Sequence, residues 1–147
     1  MDMARNMRIQ MVVEQPGNEP YRVKYIPEEN RFVRTENLSL GYARGFHGVY
    51  GWVKGYGQPP EPHRDVFMIC EADHAAGAVL EGKVVGCFLR GDGDHKLVCI
   101  APERPEEDLT QLPDRELAML RDLYPRIGEG EGWFDRVQAL ALLENPV

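Results

Sequence analysis

The sequence predicts an α+β protein that is mainly β: a small closed five-stranded barrel flanked by two C-terminal helices. Three observations carry this expectation. Short runs rich in β-branched and aromatic residues, separated by turn clusters, recur as far as Ile100. Helical periodicity appears only after Pro102. No repeat, linker or shift in composition divides residues 1–147, which are read as one domain with strands first and helices last.

The elements follow in order. Arg8 to Glu14 is β-rich and stops at the turn cluster Gln15-Pro16-Gly17-Asn18. Tyr21 to Ile26 alternates, with Tyr21, Val23 and Tyr25 on one face and Arg22 and Lys24 on the other, and ends at Pro27. Arg31 to Val33 makes a short third strand. An aromatic segment from Tyr42 to Tyr56 is so dense in glycine that no stable helix is expected there, each glycine costing about 1 kcal/mol relative to alanine. After the rigid loop of Pro59, Pro60 and Pro62, the apolar run Asp65 to Cys70 reads as a buried strand with an aspartate at its mouth. Ala78 to Leu80, Lys83 to Leu89 and Lys96 to Ile100 follow, with turns expected at Glu81-Gly82 and Gly91-Asp92-Gly93-Asp94. Pro113 opens a helix with Leu117, Leu120 and Leu123 on one stripe, and Trp133 to Leu143 forms the second.

Composition narrows the function classes. Hydrophobic residues make up 43% and charged residues 28% of the chain, so an ordinary globular core is expected. The net charge of −7 repels a phosphate backbone, so nucleic acid is not the expected partner and core packing is the better reading of the aromatic segment, with a single-strand nucleic-acid binder on the same barrel as the weakest alternative. Cys70, Cys87 and Cys99 are odd in number and outside any CxxC pair, which indicates reduced thiols rather than disulfides or zinc. The four histidines lack ligand spacing, although His63 stands beside Asp65. No signal-like stretch or long apolar run is present, so a cytoplasmic protein without a membrane partner is expected. The acidic, proline-broken segment from Glu103 to Asp108 reads as a solvated loop.

The candidate chemistry lies in carboxylates placed next to turns. Glu61 is in the proline loop, Asp65 starts a strand, and Asp92 and Asp94 occupy a glycine turn followed by Lys96. Crowded carboxylates repel, and a divalent cation removes that cost while polarising water. The plainer reading of Gly-Asp-Gly-Asp is an exposed hairpin turn.

These pieces come in an order that resembles a family I soluble inorganic pyrophosphatase across nearly the whole chain. Met11 to Pro16 is similar to the family's opening strand with its glutamate, and Phe46 to Val53 to its aromatic-glycine segment. Glu61-Pro62-His63-Arg64-Asp65-Val66 resembles the aspartate signature. Gly86 to Leu89 followed by Asp94 to Val98 resembles its later strand pair, and Gln111 to Tyr124 its helix. The resemblance implies an OB-like barrel and Mg2+-dependent hydrolysis of inorganic pyrophosphate or a similar small diphosphate, with Mn2+ as a substitute metal. It implies Glu61 and Asp65 as catalytic residues; Asp65, Asp92, Asp94 and Glu14 at the metals; and Arg22, Tyr50, Lys96 and Tyr124 on phosphate oxygens, with Arg34 or Arg44 as a further cation. A homo-oligomer is compatible with the family. Several positions depart from the pattern: Pro59 or Pro60 stands where a metal ligand belongs, Lys24 replaces an acid, and Pro125 replaces a lysine. They define the alternative expectation, a weakened or inactive relative that binds a phosphate compound or a protein partner.

Overall fold

A computed structural model describes residues 7–144. Strands β1 (Arg8–Gln15), β2 (Tyr21–Ile26) and β3 (Arg31–Leu38) are followed by a single helical turn, α1 (Leu40–Ala43). Next come β4 (Gly48–Val53), β5 (Asp65–Ile69), β6 (Val79–Leu89) and β7 (Lys96–Ile100). The chain then forms α2 (Asp114–Leu123), β8 (Gly132–Asp135) and α3 (Arg136–Glu144). Strands β1, β4, β5, β7 and β6 pair in that order, and β6 returns to β1 to close the five-stranded barrel. β8 extends the sheet along β6, while β2 and β3 form a separate antiparallel hairpin. Only β5 and β7 run parallel within the large sheet.

Period-2 alternation explains why β5 reads as one continuous apolar run. Val66 and Met68 join Met11, Val13, Leu97 and Cys99 in one core cluster. Phe67 and Ile69 join Val98, Ile100, Leu120 and Leu123 in the other, where α2 covers the sheet. The predicted leucine stripe is thus the packing face of α2. Burial raises the Cys87 thiol to about 12, consistent with an inert reduced cysteine.

Four local expectations are corrected. Glu81-Gly82 is not a turn: β6 runs through it, because a Cβ at Gly82 would lie 2.6 Å from the Cys99 sulfur and glycine there permits close strand packing. Trp133 to Leu143 is not one helix, since Gly132–Asp135 pairs with β6 before α3 begins, with Ala139 and Leu143 buried. The glycine-rich segment does hold one helical turn, α1, because the Ser39 hydroxyl accepts from the Tyr42 amide and caps it. The acidic stretch from Glu103 is only partly solvated. Arg104 binds Glu106 and Glu116 at 2.8 Å each, and Asp108 accepts from the Arg136 amide at 2.9 Å, which fastens α2 and α3 to the chain leaving β7. No described helix is long and apolar enough to cross a membrane.

Candidate functional site

The parallel register of β5 and β7 sets Asp65 opposite Lys96. By alternation their side chains share the face of Phe67 and Val98, so the pair lies on the outer wall of the barrel, beyond the end of the α2 contact. Lys96 is almost fully buried and its ammonium uses all three donors, reaching Asp65 Oδ2 at 2.5 Å, Asp94 Oδ2 at 3.0 Å and the Tyr50 hydroxyl at 3.0 Å. The other Asp65 oxygen, Oδ1, lies 2.9 Å from His63 Nε2. His63 Nδ1 in turn lies 2.8 Å from the Glu61 carbonyl. Both ring nitrogens of His63 therefore lie within hydrogen-bond distance of an oxygen.

The electrostatics follow from this packing. Burial alone would raise the Asp65 carboxyl, but the Lys96 charge and hydrogen bond, aided by Tyr50 and His63, outweigh it and hold the group below the usual aspartate range. Burial and the Asp65 charge push the Tyr50 phenol well above its ordinary value, so it remains a neutral hydroxyl. Tyr124 is raised by burial as well, stacked on Phe88 at 4.2 Å between ring centroids. Asp92 accepts from the Asp94 amide and pairs with Arg90 at 2.9 Å, and both contacts lower its carboxyl.

A bulge in β1 between Val13 and Gln15 aims Glu14 at the β2–β3 hairpin. Glu14 Oε1 binds Arg22 at 2.9 Å and Oε2 accepts from the Tyr25 amide at 3.1 Å. Gln15, also buried, accepts from the Val23 amide at 2.7 Å and donates to the Tyr21 carbonyl at 3.0 Å. Glu14 thus holds the hairpin that carries Arg22, whose guanidinium sits 5.6 Å from the Tyr50 ring centre.

Two cavities meet here. An open cleft of about 660 Å3 is bordered by Glu14, Glu61, Asp65, Asp92 and Asp94 together with Arg22, Tyr50 and Lys96. A smaller cavity of about 260 Å3 shares Arg22, Tyr50 and Lys96 and adds Tyr124, Arg44 and Arg90. Apart from Arg34, every expected site residue borders one of two adjoining spaces. Of the two candidate arginines, Arg44 lines the smaller cavity, whereas Arg34 pairs with Glu19 at 3.3 Å and stacks on Tyr21. Arg90 was not singled out from the sequence; its only signal there is a cation directly before the Gly91-Asp92-Gly93-Asp94 turn. His63, noted only for its proximity to Asp65, is a direct partner of that carboxylate.

A resident divalent cation requires several oxygen or nitrogen donors converging on one point. Among the described residues no three His, Cys, Asp or Glu side chains do so. Both oxygens of Asp65 and both of Glu14 are already bound to protein groups, and Asp92 is turned to Arg90. As arranged, these residues do not fit a bound metal.

No family model and no curated protein matches the sequence. Solved structures do match. The architecture is that of a closed OB-like barrel with an added strand and three helices. It is the fold of inorganic pyrophosphatases. The enzyme from Ehrlichia chaffeensis superposes with a TM-score of 0.73 at 18% identity, over 96% of this chain and 94% of that one. The enzyme from Neisseria gonorrhoeae gives 0.72 at 20% identity, over 99% and 91%, and that from Thermus thermophilus 0.69 at 19%, over 95% and 89%. At such identities the likeness extends to the fold alone.

Proposed function

We propose that the chain binds a small diphosphate, of which inorganic pyrophosphate is the simplest, on the outer wall of its barrel and without a resident metal. One observation carries this reading: Arg22, Arg44, Arg90 and Lys96 line a single cavity that no carboxylate lines, in a protein of net charge −7. A local cationic concavity on an acidic chain attracts small anions while the whole still repels polyanions. Tyr50 and Tyr124 add neutral hydroxyls for phosphate oxygens. Asp65 and Glu14 serve here by holding Lys96 and Arg22 in position.

A second reading, Mg2+- or Mn2+-dependent hydrolysis of pyrophosphate, is favoured by a different observation. Glu61, Asp65, Asp92 and Asp94 all border the adjoining cleft. In this reading Glu61 and Asp65 would be catalytic, and Asp65, Asp92, Asp94 and Glu14 would have to leave their present partners to hold metal. Calorimetry in a chelating buffer and a phosphate-release assay separate the two. The first reading expects pyrophosphate to titrate with chelator present, about tenfold more weakly in Arg22→Gln, and no phosphate release above blank with Mg2+ or Mn2+. Release that needs the metal and disappears in Asp65→Asn would favour the second reading, and the absence of any heat of binding would exclude the first.

A further inference from the structure

The smaller cavity has a second character that a bare diphosphate does not use. Beside its four cations it is lined by Leu38, Leu40, Tyr42 and Phe46. Leu38, Leu40 and Tyr42 are 62%, 63% and 50% exposed, and they are three of the six large hydrophobic side chains left exposed among the described residues. Their clustering follows from the chain path, because the end of β3, the Ser39 cap and α1 present them in succession. Large apolar side chains gathered at the mouth of a concavity mark a surface that a ligand removes from water. Inorganic pyrophosphate, with charged oxygens on every side, gains nothing from such a wall.

We infer that the occupant is a small organic ester of phosphate or diphosphate: its phosphate end faces Arg22, Arg44, Arg90 and Lys96, and its apolar or aromatic body covers Leu38, Leu40 and Tyr42. This rests on the phosphate-binding reading above and adds the body of the ligand to it. The charges select the anion. Arg22, Arg90 and Lys96 each have a carboxylate partner, in Glu14, Asp92 and Asp65. Arg44 donates to the Leu123 carbonyl at 2.6 Å and pairs with no carboxylate among the described residues, so an arriving phosphate is its first anionic partner. Size limits the body. About 260 Å3 lies just below the roughly 300 Å3 at which pockets for drug-sized ligands begin, which suits one ring or a short branched chain.

The test compares phenyl phosphate with inorganic phosphate and pyrophosphate by calorimetry on the full chain, with circular dichroism to verify folding of each variant. Leu40 and Tyr42 are exposed, so Leu40→Ser/Tyr42→Ala should leave the fold intact. Phenyl phosphate is expected to bind wild type about tenfold more tightly than inorganic phosphate, the increment of burying one ring face. In the double variant that ratio should fall to about twofold or less, with the affinity for inorganic phosphate unchanged. Arg44→Gln should weaken both ligands by a similar factor. Equal affinities in wild type, or a ratio that survives in the double variant, overturn the inference. If inorganic phosphate and pyrophosphate bind but the phenyl group adds nothing, only the organic body is refuted. If none of the three binds to folded protein, the phosphate-binding reading falls with it.

Discussion

Replacing Lys96 with methionine is expected to destabilise the protein by about 3 kcal/mol, because it leaves the Asp65 carboxylate buried without its main counter-charge. His63 remains on Oδ1, which sets the loss at the lower end of the range for a broken buried pair. The cause is the orphaned charge and not a large intrinsic worth of the pair, so Asp65→Leu/Lys96→Met should recover most of the loss. The sign of the pH dependence follows from the direction of the Asp65 shift. Its carboxyl lies below the ordinary aspartate value, so the stabilisation is complete above that value and disappears as pH falls through the lowered one. The gap between the urea midpoints of wild type and Lys96→Met should therefore be widest near neutrality. It should narrow below roughly pH 4, as protonation removes the buried charge from both proteins. A gap that widens on acidification would contradict the assignment.

Gly51→Ala should be costlier still, at about 4 kcal/mol or more, in the range reached by few single substitutions. Gly51 pairs with Val13 in the β1–β4 ladder, and a Cβ there would fall on the Val12 carbonyl oxygen with the Glu14 amide 3.0 Å away. Both obstacles are backbone, so no rotamer change relieves them, and the strands must separate at the point that carries Glu14 on one side and Tyr50 on the other. Phosphate binding should be lost together with stability. Gly45→Ala provides the contrast. Its φ is +80° but an added Cβ meets nothing within 4 Å, so only the conformational cost of about 1 kcal/mol is expected. Urea unfolding of the two variants in parallel checks both figures, and equal losses would show that strand contact is not the cause.

The barrel was legible because its strands carry their own signals. Alternation in β2, apolar runs bounded by turn residues in β5 and β7, and the leucine stripe of α2 each depend on local sequence alone. What misled were residues whose ordinary meaning is reversed by tertiary contact. Gly82 resembles a turn yet lies inside β6, because the Cys99 sulfur needs its space, and Trp133 begins an apolar stretch of helical spacing yet pairs with Phe88 in the sheet. The site divides along the same line. Motif order brought out Asp65, Lys96, Tyr50, Arg22 and Tyr124, which do gather around two adjoining cavities. Their pairing was not readable, since no spacing rule says that Lys96 and His63 will occupy both oxygens of Asp65 or that Glu14 will be bound by Arg22. The apolar wall formed by Leu38, Leu40 and Tyr42 was hidden for a related reason: leucines and a tyrosine in a short segment ordinarily signify core.

In the metal-free reading proposed above, Lys96 and not a divalent ion neutralises the carboxylate at the mouth of β5. The 13C resonance of the Asp65 carboxyl, followed while Mg2+ is added at neutral pH, distinguishes the two. The resonance is expected to stay in place as Mg2+ reaches millimolar concentrations, while Lys96→Met, with one oxygen released, responds to the ion. A saturable shift of Asp65 in the wild-type protein would contradict that reading.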